Sequence, residues 1–122
     1  MGMHNFRELK IWQRSMDLAE QVYKVVALFP KEEKFGLISQ LKRCAVSIPS
    51  NISEGAGRAT KKQFQHFLEF SMGSCNELQT QMELSKRFGY IDDEVAHTVT
   101  DETNQVYRMI LAFYNSLHDT KI

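Results

Sequence analysis

Residues 47–55 read SIPSNISEG, which places a proline and several serines inside an otherwise helical pattern. A proline within a helix removes one backbone hydrogen bond and clashes with the preceding turn, at a cost of about 3 kcal/mol. A loop here would reset the apolar spacing, yet the spacing of three and four continues across it at Leu41, Ala45, Ile48 and Ile52. The stretch therefore predicts one continuous, kinked helix that ends near Gly55 or Gly57, with the carbonyl of Ala45 freed by the proline.

Helical periodicity extends outward from this stretch in both directions. It predicts four helices, at about residues 9–28, 32–56, 61–88 and 93–118. The connections between the second, third and fourth helices are short, which favours antiparallel neighbours. A chain of 122 residues suits one domain. We therefore predict a single domain over residues 1–122 with an all-α fold, an antiparallel up-down four-helix bundle.

Several helix ends carry local signals. Thr60 and Gln63 have the spacing of a capping box at the start of the third helix. Asp92 suits the N-cap of the fourth helix, and Gly89 suits the C-terminal cap of the third. The two acids that follow Pro30 suit the first turn of the second helix, because acids stabilise the positive end of the helix dipole.

The first helix has two apolar stripes about 100° apart. One consists of Leu9, Trp12, Met16, Ala19, Tyr23 and Val26, and the other of Ile11, Leu18, Val22, Val25 and Phe29. One stripe belongs to the bundle core. The second indicates contact with a neighbouring subunit or, in the alternative interpretation, a wide core face.

The second helix also has a polar stripe, formed by Gln40, Arg43, Ser47, Asn51 and Glu54. One interpretation is a solvated face. The other is a structural network of hydrogen bonds, buried against another subunit or against the third helix, where Asn76, Glu77 and Gln81 lie within reach. Short Ser and Asn side chains favour close packing, so we predict a structural role for Gln40, Arg43, Ser47, Asn51, Glu54 and Glu77.

Charge and cysteine usage bound the function. The chain has 15 Lys and Arg against 15 Asp and Glu, so its net charge of zero argues against a general nucleic-acid coat. Cys44 and Cys75 fall on apolar stripes and are expected to be reduced core residues. No signal peptide or transmembrane run is visible, so we expect a cytoplasmic protein without a membrane partner.

Cations cluster at the start of the third helix, where Arg58, Lys61 and Lys62 oppose the helix dipole. An anion there would meet free N–H groups and three cations, and a nucleic-acid phosphate is one candidate. Lys42 and Arg43 form a second cationic pair. The alternative is a solvated corner or a salt bridge to Glu54 or another subunit.

The motifs of several enzyme and metal-protein classes are missing. A di-iron bundle needs two Glu-x-x-His pairs, and the chain has one, Glu94 and His97. The cysteines are too far apart for a zinc knuckle, and EGAGR is neither a P-loop nor a dinucleotide motif. We therefore predict no catalytic residue, no metal site and no cofactor.

Three segments resemble one known family: FRELKIWQRSMDLAEQVY, FPKEEKFGLISQLKRCAVSIPSNISEGAGR and FLEFSMGSCNELQTQMELSKRFGYI. The resemblance, over residues 6–117, is to the four-helix-bundle proteins encoded in intervening sequences of bacterial large-subunit rRNA genes. It implies an up-down bundle and a ring-like homopentamer. The chain is also similar to the accessory protein of diversity-generating retroelements, which works with a reverse transcriptase and has a basic, nucleic-acid-binding surface.

Two functions follow as hypotheses. The first is a nonenzymatic, oligomeric bundle that contacts RNA or DNA phosphates through its basic residues. The alternative is a structural or protein-interaction module that recruits a protein partner and binds no nucleic acid. Because phosphate contacts make binding strongly salt-dependent, a salt series with labelled RNA separates the two.

Overall fold

Four long helices form the structure, a computed structural model that describes residues 4–118. They are α1 (Lys10–Val26), α2 (Leu37–Ala56), α3 (Lys61–Arg87) and α4 (Asp93–His118). Short 3₁₀-helices at Phe6–Glu8 and Lys31–Glu33 precede α1 and α2. No β-strand occurs within residues 4–118, so the predicted all-α fold is confirmed.

The helices run in alternating directions around a ring. The contacts between α2 and α3 show that these two helices are antiparallel. Cys44 contacts Gln81, Ser47 contacts Ser74, and Ile48 contacts Ser71, so residue numbers increase along α2 while those of their partners decrease along α3. Each helix packs against its sequence neighbours, and α1 also packs against α4 to close the ring. The predicted antiparallel up-down four-helix bundle is therefore confirmed.

The core lies along the axis of the bundle and receives side chains from all four helices. In α1 it takes the stripe that includes Ile11, Leu18 and Val22. In the other stripe Val26 is also buried, whereas Met16 and Tyr23 are exposed. At the closure, Arg14 of α1 makes an ion pair with Glu102 of α4, with 2.7 Å between Nη2 and Oε2.

Both cysteines are free and buried, which confirms their prediction as reduced core residues. Burial raises the pKa of the Cys44 thiol to about 12, and the nearby Glu77 carboxylate adds to the shift. Burial raises the pKa of Cys75 to about 12 as well, with a smaller contribution from Cys44. Neither thiol is readily ionised, so both behave as small apolar side chains.

α2 continues through Pro49 and ends at Ala56, as predicted from the unbroken apolar spacing. Serine and asparagine side chains supply extra hydrogen bonds at this turn. Ser71 of α3 donates to the carbonyl of Ile48 over 2.8 Å, and Asn51 donates to the carbonyl of Ser47 over 2.9 Å. Ser53 donates to the carbonyl of Ser50 over 3.0 Å. Among the described residues these three carbonyls receive side-chain bonds, rather than the predicted carbonyl of Ala45.

The predicted start of the second helix near residue 32 is wrong, because α2 begins at Leu37. The acids after Pro30 lie instead in the 3₁₀-helix. Glu33 then folds back, and its Oε1 accepts a hydrogen bond from the Leu37 N–H over 3.1 Å. A Cβ at Gly36 would lie 2.8 Å from this Oε1, so the absence of a side chain at Gly36 permits the contact.

The other end signals are confirmed. Thr60 and Gln63 form both bonds of a capping box, and the Asp92 carboxylate accepts from the Val95 N–H over 2.8 Å. Gly89 has a φ of +80° and permits the turn after α3. The N–H of Gly89 bonds to the carbonyl of Lys86, and the next N–H bonds to that of Ser85, which is a Schellman motif.

Candidate functional site

The basic end of the bundle consists of Arg58, Lys61 and Lys62, which the α2–α3 turn brings together. Arg58 is held in place by two contacts. Its Nη2 lies 2.6 Å from Oε2 of Glu54, and its guanidinium carbon lies 4.7 Å from the centre of the Phe67 ring. The salt bridge to Glu54 is the alternative expected from the sequence. The Glu54 carboxylate offsets the positive charge of Arg58, which is therefore less available to an anionic ligand.

Lys61 and Lys62 differ from Arg58 because neither forms an ion pair within residues 4–118. They occupy the first two positions of α3, where the capping box already holds the N–H of Gln63 at 3.1 Å from the Thr60 hydroxyl. The expected set of free N–H groups is therefore reduced. An anion at this end would be held mainly by the lysine side chains.

Lys42 and Arg43 do not join the basic end. They lie about 15 residues before Arg58 on α2, which corresponds to roughly 22 Å along the helix axis. The Lys42 ammonium lies 4.9 Å from the centre of the Tyr23 ring and borders a cavity of about 410 Å³ together with Lys31 and Lys34. Arg43 is exposed. The five predicted phosphate contacts thus form two separate groups.

The predicted polar stripe is divided by the structure. Ser47 and Asn51 lie at the α2–α3 contact, where the Ser47 and Ser74 hydroxyls are 2.8 Å apart and Asn51 Nδ2 lies 3.0 Å from Ser47 Oγ. Gln40, Arg43, Glu54 and Glu77 are exposed. The bond from Ser47 across the helices uses Ser74, a residue that the sequence reasoning missed. Of the predicted residues of α3, Gln81 accepts a bond from the Cys44 thiol over 3.5 Å, and the Glu77 charge raises the pKa of that thiol. Any wider network remains a prediction.

An apolar groove lies between α1 and α2, on the side that faces away from the core. It encloses about 650 Å³ and is lined mainly by Phe6, Trp12, Met16, Ala19, Tyr23, Val46 and Pro49. Met16, Tyr23 and Val46 are each more than 40% exposed. The stripe of α1 that includes Trp12, Met16 and Tyr23 thus forms one wall of this α1–α2 groove, and Pro49 lies in the opposite wall.

An aromatic patch, formed by His66, Phe67 and Phe70, lies beside the basic end and was not predicted. The ring centres of His66 and Phe70 are 4.7 Å apart, and those of Phe67 and Phe70 are 6.1 Å apart. Phe70 is 50% exposed. The spacing of four residues between His66 and Phe70 was the available signal, since such residues are neighbours on a helix surface.

Neither a metal site nor a membrane span is found in the described part of the chain. No group of three His, Cys, Asp or Glu side chains within it could hold a metal ion. No helix within this part is both long enough and apolar enough to cross a bilayer.

The helix order and alternating directions define the class as an up-down four-helix bundle. The family model for the 23S rRNA-intervening sequence protein matches residues 7–112. The chain therefore belongs to the 23S rRNA-intervening sequence protein family, and the resemblance drawn from the sequence is confirmed. The further likeness to the retroelement accessory protein stays a prediction.

A solved structure from Bacteroides thetaiotaomicron VPI-5482 has the same fold. It is described as a protein with unknown function from the S23 ribosomal protein family. The two share 20% identity with a TM-score of 0.77, over 85% of this chain and 97% of that chain. No curated protein sequence matches this chain significantly.

Proposed function

We propose that this protein is a nonenzymatic, self-assembling bundle that binds nucleic-acid phosphates through its basic end. The observation that carries the proposal is the pair Lys61 and Lys62, which has no acidic partner among the described residues and lies beside Arg58. Cations in the first turn of a helix oppose its dipole, at about 0.3–1 kcal/mol each when exposed. A phosphate ligand at this end would offset that repulsion.

A nonenzymatic role fits the chemistry of the two thiols. Cys44 and Cys75 are the strongest nucleophiles by residue type, yet burial raises the pKa of each to about 12. A thiol reacts as its thiolate, so neither side chain is prepared for covalent catalysis.

A salt series tests the nucleic-acid part of the proposal. Binding of a labelled 20-nucleotide RNA and DNA is measured from low to physiological salt. Lys61→Ala combined with Lys62→Ala should weaken binding and reduce the slope of log K against log salt by roughly 1–2, since each phosphate contact contributes about 0.7–0.9. The matched control is Lys86→Ala with Arg87→Ala at the other end of α3.

Two outcomes would decide against this part. Absence of binding even at low salt would favour the alternative, a protein-interaction module. Equal losses in the test and control variants would show that the basic end is not the contact.

We also propose that the α1–α2 groove joins copies of this chain, as a homopentamer. The support is the pair of exposed apolar walls, with Met16 and Tyr23 in the α1 wall and Val46 in the α2 wall, since such patches on soluble proteins mark interaction sites. Light scattering at micromolar concentration should report five subunits. Met16→Glu places a carboxylate in the α1 wall and should yield monomers, because assembly would then bury a charge.

The matched control for assembly is Phe35→Glu. Phe35 is 89% exposed and does not line the groove, so its replacement should leave the oligomer intact. A wild-type monomer would refute the assembly, and a pentamer that survives Met16→Glu would place the contact elsewhere.

A further inference from the structure

The aromatic patch is an unusual surface for a helix that already supplies the core. Phe64 and Leu68 of α3 are fully buried, so the core does not require the outward Phe70. The His66 side chain is 63% exposed and meets the Phe70 ring at an interplanar angle of 70°. Two aromatic rings of α3 therefore reach solvent beside each other.

Two cations lie beside one end of this patch. Arg58 lies over the Phe67 ring, and an open cavity of about 430 Å³ is lined by Arg58, Lys62, Gln63, His66 and Phe67. From Lys62 to Phe70 the distance along the helix axis is roughly 12 Å. The acid within this stretch, Glu69, accepts a hydrogen bond from the Tyr114 hydroxyl of α4 over 2.7 Å.

We propose that the aromatic patch stacks unpaired bases, so that the ligand of the basic end is a single-stranded nucleic acid. This inference rests on the proposed function. Exposed aromatic rings offer a stacking surface that tolerates any base, and neighbouring cations contact the phosphates between the stacked bases. The bases of a duplex are already stacked and paired, so a double strand would use the cations alone.

The experiment compares four probes of equal length at one low salt concentration: oligo-dT, oligo-rU, a duplex and an abasic strand that keeps the phosphates. The wild-type protein should bind both base-bearing single strands at least tenfold more tightly than the abasic strand. Phe70→Leu should lower their affinity about tenfold, because a leucine fills the space without offering an aromatic face. It should not change binding of the abasic strand, which also shows that the variant is folded.

The matched control is Phe88→Leu, since Phe88 is 57% exposed and follows the other end of α3. It should bind all four probes as the wild type does. Lys61→Ala with Lys62→Ala should weaken binding of the base-bearing and abasic strands alike.

The outcomes separate the two proposals. Equal wild-type affinity for base-bearing and abasic strands, or unchanged binding by Phe70→Leu, would overturn base stacking while phosphate binding stands. No binding to any probe would overturn both. Similar affinities for oligo-dT and oligo-rU, both above the affinity for the abasic strand, would support stacking, since an aromatic face tolerates either base and either sugar.

Discussion

α2 makes two contacts of opposite character along its length. On one side, the α2–α3 seam, formed by Ser47, Asn51, Gly55, Ser71 and Ser74, is closed and joined by hydrogen bonds. On the other side, the α1–α2 groove is open, and Met16 and Val46 in its walls are each 42% exposed. The same helix thus completes one contact within the chain and leaves the other incomplete.

Side-chain size accounts for the difference. The seam has glycine and serines at its contact points, and small residues let two helices approach closely. The groove has Trp12, Tyr23 and Pro49, whose bulk covers only part of the space between the helices. Small residues let two helices of one chain pack closely without leaving apolar surface exposed. A wall of large apolar residues stays partly exposed and gains stability when a second surface covers it.

The largest expected difference between the two sides is in thiol reactivity. Cys44 and Cys75 should react with iodoacetamide at pH 8 at least about a thousandfold more slowly than the thiol of a Ser50→Cys variant on the groove wall. Burial raises the pKa of the native thiols to about 12, which lowers their thiolate fraction by that order. Mass spectrometry of samples taken over time gives the rates.

Repeating the measurement at several protein dilutions tests whether subunits cover the groove. If subunits cover the groove, the Ser50→Cys thiol should react faster in dilute protein, while the two native thiols should keep their rates. Equal protection of all three thiols at every dilution would show that the groove is as closed as the seam.

Gly55→Val should produce the next largest effect, by opening the seam. A Cβ at Gly55 would lie 2.8 Å from Cδ1 of Phe64 and 2.8 Å from Cβ of Phe67, so α2 and α3 must separate. Overpacking of this kind lowers the free energy of unfolding by about 2–3 kcal/mol. Urea denaturation followed by circular dichroism measures the change.

Gly73→Ala is the matched control, since a Cβ at Gly73 would meet no atom within 4 Å. It should raise the free energy of unfolding by about 0.5–1 kcal/mol, because alanine is the better helix former. Equal stability of the Gly55 and Gly73 variants would contradict the close approach at the seam.

Asn51→Leu should have the smallest effect of the three. The change removes the bonds from Asn51 Nδ2 to the Ser47 carbonyl (2.9 Å) and hydroxyl (3.0 Å), at a cost of about 1 kcal/mol. Thermal denaturation should show a lower Tm or light scattering a different oligomer. Ser53→Ala removes a similar bond on the groove rim, to the Ser50 carbonyl, and should stay within about 0.5 kcal/mol. A larger loss of stability from Ser53→Ala than from Asn51→Leu would show that the groove rim, and not the seam, depends more on its side-chain hydrogen bonds.

Most of the fold could be predicted from the sequence because apolar spacing and end signals agree. The run from Leu41 to Ile52 predicted a helix through Pro49, and the spacing of Thr60 and Gln63 predicted the cap of α3. The start of α2 could not be predicted in this way. It depends on Glu33 folding back over Gly36, and the acids after Pro30 suit either kind of helix.

The candidate site was less predictable because it depends on contacts between helices. Lys61 and Lys62 could be found as neighbours in the sequence. The separation of Arg43 from the basic end also follows from the sequence, since about 15 helical residues precede Arg58. The approach of Arg58 to Phe67 does not, because it depends on the turn from α2 into α3. Phe70 is a large apolar residue of the kind that fills cores. Its spacing from His66 indicates only that the two are neighbours on the helix, and its 50% exposure then places it on the surface.

The closure between α1 and α4 has a consequence for the order of folding. It joins distant parts of the chain through Arg14 and Glu102, and it is the least extensive of the four helix pairs, whereas α2 and α3 meet across a turn of a few residues. Closing a short loop loses less entropy than closing a long one, so we expect the α2–α3 hairpin to form early and the ring to close last. In the native state the amide hydrogens of α1 should then exchange with deuterium sooner than those of the α2–α3 hairpin.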